Sequence, residues 1–360
     1  MRDSVTVAID DINAHGGVNG QVVRTVVRDE GDNASTAALA VQDLVQLGVD
    51  AIVGPTSSLN VLATLGTAVN AGVLTCSPTA SALALDTFPD NGLLIRTVPS
   101  DSLQARAIAR VVEQSGYSQA AVVYLDDAYG RPFAQAAQQA LRSETTVVSL
   151  AMGFTPTEDS IQKTATAIAA LHPKAVVVIA DNSSGPSIIA AIDSELRSID
   201  PASKPTYIVN DAIRRPAPQA PPFGGSLAER VVGVSPEAYP RSTAFLADLR
   251  TIDADSTGLY AANAADCVNT VALSALAAKS TAATAMAAAV AGTTSNGTSC
   301  VSFSDCADDL ADGRNIDYDG SNGALTIDRN GDVSTAVFDR FGFDAAGRDV
   351  TIGSVTIGAS

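Results

Sequence analysis

The sequence predicts an α/β protein made of two doubly wound lobes, each a parallel sheet with helices on its faces. Three observations lead there. Short apolar strands alternate with helices of about ten to fifteen residues, the pattern of parallel strands covered on both sides. The alternation runs through once and then starts again near Ala120. The chain is 360 residues long, more than one ordinary core organises.

Each element follows from its local pattern. Val5, Ile9 and Ile12 fall on one face of a first helix, and Gly16-Gly17 ends it as a left-handed cap. Val22 to Val27 reads as a strand that stops at Asp29-Glu30, and a helix follows from Ser35 to Leu47, closed by Gly48. Asp50 to Val53 is a short buried strand. Gly54-Pro55-Thr56-Ser57-Ser58 then opens a helix to about Ala71. Val73 to Cys76 is the next strand, broken by Ser77-Pro78; Leu94 to Val98 is extended, and Ser100-Asp101 caps a helix to Ser115. The second set begins with the strand Ala120–Tyr124, the loop Asp126-Asp127-Ala128-Tyr129-Gly130 and the helix Arg131–Arg142. Thr146–Leu150, Ser160–Leu171, Ala175–Ala180 and Pro186–Ile199 continue it as strand, helix, strand, helix, and Thr206–Val209 and Val231–Ser235 complete it. The Pro-rich stretch from Arg214 to Pro222 is too rigid and too poor in donors for regular structure.

Composition excludes several functions. Lys+Arg 22 against Asp+Glu 39 gives a net charge of -17, which repels nucleic-acid phosphates and anionic headgroups. The longest uncharged stretch, Ser280 to Ser304, is Ala-, Thr- and Ser-rich and broken by Gly292 and Gly297, so it does not read as a membrane span. With only His15 and His172, and neither near a second ligand, no metal site is expected. No G-x-G-x-x-G after a strand, P-loop, G-x-S-x-G or H-E-x-x-H motif is present. Asp328-Arg329-Asn330-Gly331-Asp332 has the look of a calcium loop, but Asp339 stands where a Glu is needed and flanking strands favour a hairpin turn. Cys300 and Cys306 bracket a short polar segment outside any clear strand or long helix. A small disulfide loop, and hence an oxidising compartment, is one reading; two free surface thiols is the other. Cys76 ends an apolar run and Cys267 sits in a helix, and both read as small core residues rather than a pair.

In an open parallel sheet, ligands bind beyond the carboxyl ends of strands. Gly54-Pro55-Thr56-Ser57-Ser58 is such a loop, with two hydroxyls where a helix presents unpaired N–H groups, a setting that suits a carboxylate or phosphate. Ser57 or Ser58 could instead serve only as a helix cap. Ser77-Pro78-Thr79-Ala80-Ser81 after the next strand adds hydroxyls, so the two loops together read as one anion cradle.

Several stretches, in register along the chain, resemble the periplasmic substrate-binding proteins of branched-chain amino acid and amide ABC importers. These are the type I, Leu/Ile/Val-binding protein-like family. They are Ala8-Ile9-Asp10-Asp11-Ile12-Asn13-Ala14-His15-Gly16-Gly17-Val18-Asn19-Gly20; Asp50-Ala51-Ile52-Val53-Gly54-Pro55 with Ser57-Ser58; Ser77-Pro78; Arg96-Thr97-Val98-Pro99-Ser100-Asp101; Asp126-Asp127-Ala128-Tyr129-Gly130-Arg131; and Ile316-Asp317-Tyr318-Asp319-Gly320-Ser321-Asn322-Gly323. The resemblance implies a Venus-flytrap architecture with a three-strand hinge. Lobe 1 would span 1–117 and 238–322, and lobe 2 would span 118–237 and 323–360. Ile316–Gly323 would be a return crossing between them.

The resemblance also implies roles. Ser58 and Ser81, with Ser57 beside them, would hold a ligand α-carboxylate, joined by the main chain of Thr79 and Ala80. Asp211 would stand near the acidic position that pairs with the ammonium. Asp181-Asn182-Ser183 occupies the place of an aromatic contact, so Asn182 and Ser183 leave room for a polar or bulkier ligand side chain. Asp127 and Tyr129 are further candidates. The implied function is an extracytoplasmic, non-enzymatic receptor without cofactor or metal. It would act as a monomer that delivers an amino-acid-like solute to an ABC permease, with a lipid anchor compatible. A ligand sensor on the same fold is the alternative, and a doubly wound enzyme a remote third. The family's first strand, which lies at the centre of its sheet, has no counterpart before the helix starting near Asp3. The sequence is therefore expected to begin downstream of a signal peptide and that strand.

Overall fold

A computed structural model describes residues 1–214, 223 and 225–358. By internal contact the chain divides into two units. The first is Met1–Ser100 with Glu237–Ala336, resuming at Gly358; the second is Asp101–Pro236 with Val337–Ile357.

The second unit carries a parallel sheet in the order Val147–Phe154, Gln119–Leu125, Ala175–Ile179, Thr206–Val209, Val231–Pro236. Its central strands are continuous apolar runs because both faces are covered. Val176, Val177, Val178 and Ile179 are fully buried: Val176 and Val178 pack with the helices Glu158–Ala169 and Ser184–Ile199, and the helices Gly130–Ser143 and Asp101–Gln114 also contact the central strands. The strand Val333–Phe343 adds antiparallel to Val231–Pro236 through Phe338–Phe341, and Asp349–Ile357 pairs with it in turn. The order places the first strand of the set, Gln119–Leu125, between its two successors, which makes its carboxyl end a topological switch point. Gly130 is needed there. A Cβ at that position would lie 2.1 Å from the Leu125 carbonyl oxygen, so only glycine lets the helix Gly130–Ser143 start so close to the strand. Helix Asp101–Gln114, expected in lobe 1, belongs with the second unit because it packs on Gly130–Ser143 and on Val231–Pro236. The Pro-rich stretch lies, beyond Arg214, outside the described residues.

The first unit holds a three-stranded parallel sheet, Ala51–Val53, Leu74–Ser77 and Leu94–Arg96, with the helices Ala34–Gln46 and Ser58–Asn70 against it. A second pair of short parallel strands, Thr298–Cys300 and Ile316–Tyr318, packs beside the helices Ala261–Ala278 and Ala283–Thr293. No single helix among the described residues is long and apolar enough to cross a membrane.

Several expectations are corrected here. Val22–Val27 forms no ladder: Val22, Val26 and Val27 are exposed, and Val23 exchanges its backbone hydrogen bonds with the Asn13 side chain. An extended segment becomes a strand only beside another, and none among the described residues pairs with it. The first helix, Arg2–Ala14, buries Ser4, Ala8 and Ile12, while Val5 and Ile9 are only half-buried. Cys76 and Cys267 are bonded to each other, joining the middle strand of the sheet to helix Ala261–Ala278. Cys300 and Cys306 form the expected bridge, but from the end of a strand into helix Phe303–Ala311 rather than from an irregular loop. Ile316–Gly323 lies wholly in the first unit. Its Tyr318 hydroxyl donates to Asp266 at 2.8 Å, as does the Ser321 N–H at 2.9 Å. Residues 323–336 stay with the first unit too, since Gly331 and Asp332 both bond Arg96.

Candidate ligand site

In the first unit the two hydroxyl-rich loops are stitched together. Gly54 N–H donates to Cys76 O at 2.8 Å, the Ser77 hydroxyl to Pro55 O at 2.6 Å and the Thr79 hydroxyl to Thr56 O at 2.8 Å. Ala82 N–H donates in turn to the Ser58 hydroxyl oxygen at 3.2 Å. Ser58 thus accepts from the protein and keeps its own proton to give. Ser57 stands at the N-cap of helix Ser58–Asn70 without a side-chain bond to the helix, so the reading of Ser57 as a simple cap does not hold. Ala80 is fully buried and Ser81 nearly so. The structure therefore brings Ser57, Ser58, Thr79, Ala80 and Ser81 into one stitched pair of loops beyond two adjacent strands.

Two charged residues outside the loops, Arg96 and Glu30, hold this arrangement. Arg96, completely buried on strand Leu94–Arg96, donates to Asp332 at 2.7 Å and Asp86 at 2.6 Å and reaches the carbonyls of Ala80 and Ala82 at 3.4 Å each. Glu30 accepts from Thr56 N–H at 3.0 Å and from the Thr56 hydroxyl and bonds Asn60, fixing the first loop from its other side. Arg96 opens the segment Arg96–Asp101, but its carboxylate partners lie 10 and 236 residues away. Glu30 follows the extended segment Val22–Val27, which pairs with no strand among the described residues.

In the second unit Asp127, Tyr129, Asn182, Ser183 and Asp211 all stand beyond the carboxyl ends of three neighbouring parallel strands. Their side chains differ in what they are free to do. Asp127 accepts from Tyr129 N–H at 3.0 Å and Gly130 N–H at 2.7 Å, which makes it a helix cap, and Tyr129 lies edge-on to Phe133. Asp181 caps the next helix through four bonds from Ser183 and Ser184. Burial pushes its carboxyl up, but those bonds outweigh burial and hold it below the ordinary range. Ser183 is occupied by Asp181, while Asn182 is half-buried beside it. Asp211 opens a single 3-10 turn, Asp211–Ile213, and accepts from Gln104 Nε2 at 2.9 Å. Burial raises its carboxyl pKa against the opposing Gln104 hydrogen bond.

Among the described residues no group of three or more His, Cys, Asp or Glu is placed to hold a metal ion. Asp328 instead accepts the N–H groups of Asn330 and Asp332 and closes a hairpin turn.

The chain is similar to known proteins in sequence and in fold. Residues 1–344 match the family described as the receptor family ligand binding region. The Leu/Ile/Val-binding protein of Escherichia coli K12 is 28% identical over 152 residues, 42% of this chain and 41% of that protein. The chemotactic signal transduction system substrate-binding protein BasB of Halobacterium salinarum is 30% identical over 141 residues, 36% of this chain and 33% of that protein. The matches thus span less than half the length of these relatives. An ABC transporter substrate-binding protein from Desulfitobacterium hafniense, solved in complex with Leu, superposes with a TM-score of 0.76 at 18% identity, covering 98% of this chain and 95% of that one. A solute-binding protein of an ABC transporter from R. palustris, in complex with benzoate, gives 0.69 at 14% identity, covering 99% and 93%. These likenesses show the fold: that of the type I periplasmic binding proteins.

Proposed function

Because this chain belongs to the receptor family ligand binding region, we propose that it is an extracytoplasmic receptor that captures a small amino-acid-like solute for an ABC importer. The observation that carries the reading is the pair of stitched loops in the first unit. Ser58 has a hydroxyl proton to donate, Ser81 a second hydroxyl, and helix Ser58–Asn70 begins there, a combination that suits a carboxylate. A carboxylate is also what Leu and benzoate, held by two of the structural relatives, have in common. An acidic side chain such as Asp211 would suit an ammonium, which favours an amino acid over a plain acid as the ligand class. The disulfides support an oxidising, extracytoplasmic setting, since no cysteine is free among the described residues.

Calorimetry with L-leucine, L-isoleucine, L-valine and benzoate tests the reading. Saturable binding of an amino acid with weaker benzoate binding is expected; benzoate as the tighter ligand would overturn the ammonium assignment, and no binding of any acid would overturn the carboxylate cradle. The similarity to BasB supports a second reading, a sensor that reports ligand capture to a signalling partner. Ligand uptake by vesicles holding the cognate permease separates the two.

A further inference from the structure

We propose that Gln104 is a positioning residue of the ammonium subsite, its side-chain amide holding the Asp211 carboxylate to receive a ligand ammonium. The proposal rests on the reading of Asp211 given above. Gln104 lies on helix Asp101–Gln114 and is completely buried. Its Nε2 donates to Asp211 Oδ1 at 2.9 Å and to the Val234 carbonyl at 2.8 Å. An amide nitrogen has two hydrogens, and both are engaged. The alternative orientation would set Oε1 against a carboxylate and a carbonyl, two acceptors facing a third, so the amide has one stable pose.

The two acceptors differ in stiffness. Val234 belongs to strand Val231–Pro236, inside the sheet, whereas Asp211 starts a one-turn element after strand Thr206–Val209. Gln104 therefore ties a loop carboxylate to the sheet. The neutrality of the donor matters as much as its reach. A lysine or arginine here would cancel the Asp211 charge and compete with the ammonium. An amide stabilises the ionised carboxylate and leaves its charge to the ligand. The cation that also acts on Asp211 is Arg214, and Arg214 is itself engaged by Asp339 at 3.3 Å and Asp349 at 3.0 Å. Burial disfavours the Asp211 charge, so the Gln104 hydrogen bond works against burial.

The test compares wild type with Gln104→Met, which keeps length and loses the donor, and Gln104→Glu, which keeps shape and sets a second carboxyl beside Asp211. The probes are L-leucine and its deaminated analogue 4-methylpentanoate, with affinities from calorimetry. The Asp211 carboxyl is titrated by carbon NMR in the unliganded protein. In both variants L-leucine affinity should fall about tenfold or more while 4-methylpentanoate changes less than about twofold. The Asp211 midpoint should move up, because a bond to the charged form has been lost or a like charge gained. If Gln104→Met melts too low to titrate, Gln104→Glu carries the same comparison. Equal losses for both probes with an unmoved Asp211 midpoint would reduce Gln104 to core packing and overturn the proposal. If wild type takes both probes equally, the ammonium reading of Asp211 falls and this proposal with it. If wild type prefers L-leucine and the variants keep that preference, Gln104 alone is overturned.

Discussion

Replacing Cys76 and Cys267 together by Ala should destabilise the protein far more than the same change at Cys300 and Cys306. The first bridge spans a sequence separation of 191 residues and the second of 6. In the chain-entropy treatment, cross-linking removes 2.1 + 1.5R ln n cal/mol/K from the unfolded chain, which at 25 °C is about 5 kcal/mol for the long loop and about 2 kcal/mol for the short one. All four cysteines are buried, so the packing lost with the sulfur atoms is similar in the two double variants. Their difference, about 3 kcal/mol, therefore reports loop length rather than local contacts. The long loop encloses the whole of Asp101–Pro236, most of the second unit, so the comparison uses the urea transition that unfolds both units. Far-ultraviolet circular dichroism without reductant gives the two free energies, and mass spectrometry confirms the bridge left in each variant. Equal losses, or a larger loss at Cys300–Cys306, would refute the loop-entropy reasoning and assign the stabilisation to native-state packing.

The other predictions concern the ligand and pH. Replacing Ser58 and Ser81 together by Ala should weaken amino-acid binding by about 1–3 kcal/mol through lost charge-assisted hydrogen bonds; unchanged calorimetric affinity would move the carboxylate cradle elsewhere. Asp211→Asn should lower the affinity for L-leucine and spare 4-methylpentanoate, and an equal loss for both would reject its pairing with an ammonium. Burial in the first unit raises the Asp266 carboxyl to about 6, against hydrogen bonds from Ser321 and Tyr318. A carboxyl raised on folding contributes stability below its unfolded value and loses it as pH rises through the folded one. Wild type should therefore lose about 2 kcal/mol relative to Asp266→Asn between pH 4 and pH 7, measured by urea unfolding; a pH-independent difference between the two would contradict the burial.

The fold was legible where one physical cause dominates. Runs such as Ala175–Ile179 are apolar without alternation because helices cover both faces of their sheet, and that signature survives in any sequence that builds such a strand. Val22–Val27 is also valine-rich, with Arg24 and Thr25 between two valine pairs, and forms no ladder, because strand formation depends on a neighbour and composition reports only the segment itself. The Cys76–Cys267 bond was illegible for a related reason. Each cysteine sits in an apolar context that suits a free core thiol, and only the packing of helix Ala261–Ala278 on the sheet brings them together across 191 positions.

The candidate site divides along the same line. Loops beyond strand ends are visible in sequence because strands and helix starts are, and every candidate fell on one. What each side chain is free to do was not visible, since that depends on partners from other loops. Ser58, Thr79 and Ser183 look equivalent as hydroxyls. In the fold Thr79 gives its proton to the Thr56 carbonyl and Ser183 bonds the Asp181 carboxylate, whereas Ser58 accepts from Ala82 and keeps a proton to give. The aspartates separate in the same way: Asp127 and Asp181 cap helices, and Asp211 accepts from a neutral amide. A carboxylate satisfied by backbone N–H groups at a helix start has little left to offer a ligand. One held by a neutral side-chain amide gains support for its ionised form, which opposes the effect of burial on it. The physical difference between Asp211 and Asp127 therefore rests on the position of Gln104, more than a hundred residues upstream, which no spacing rule encodes.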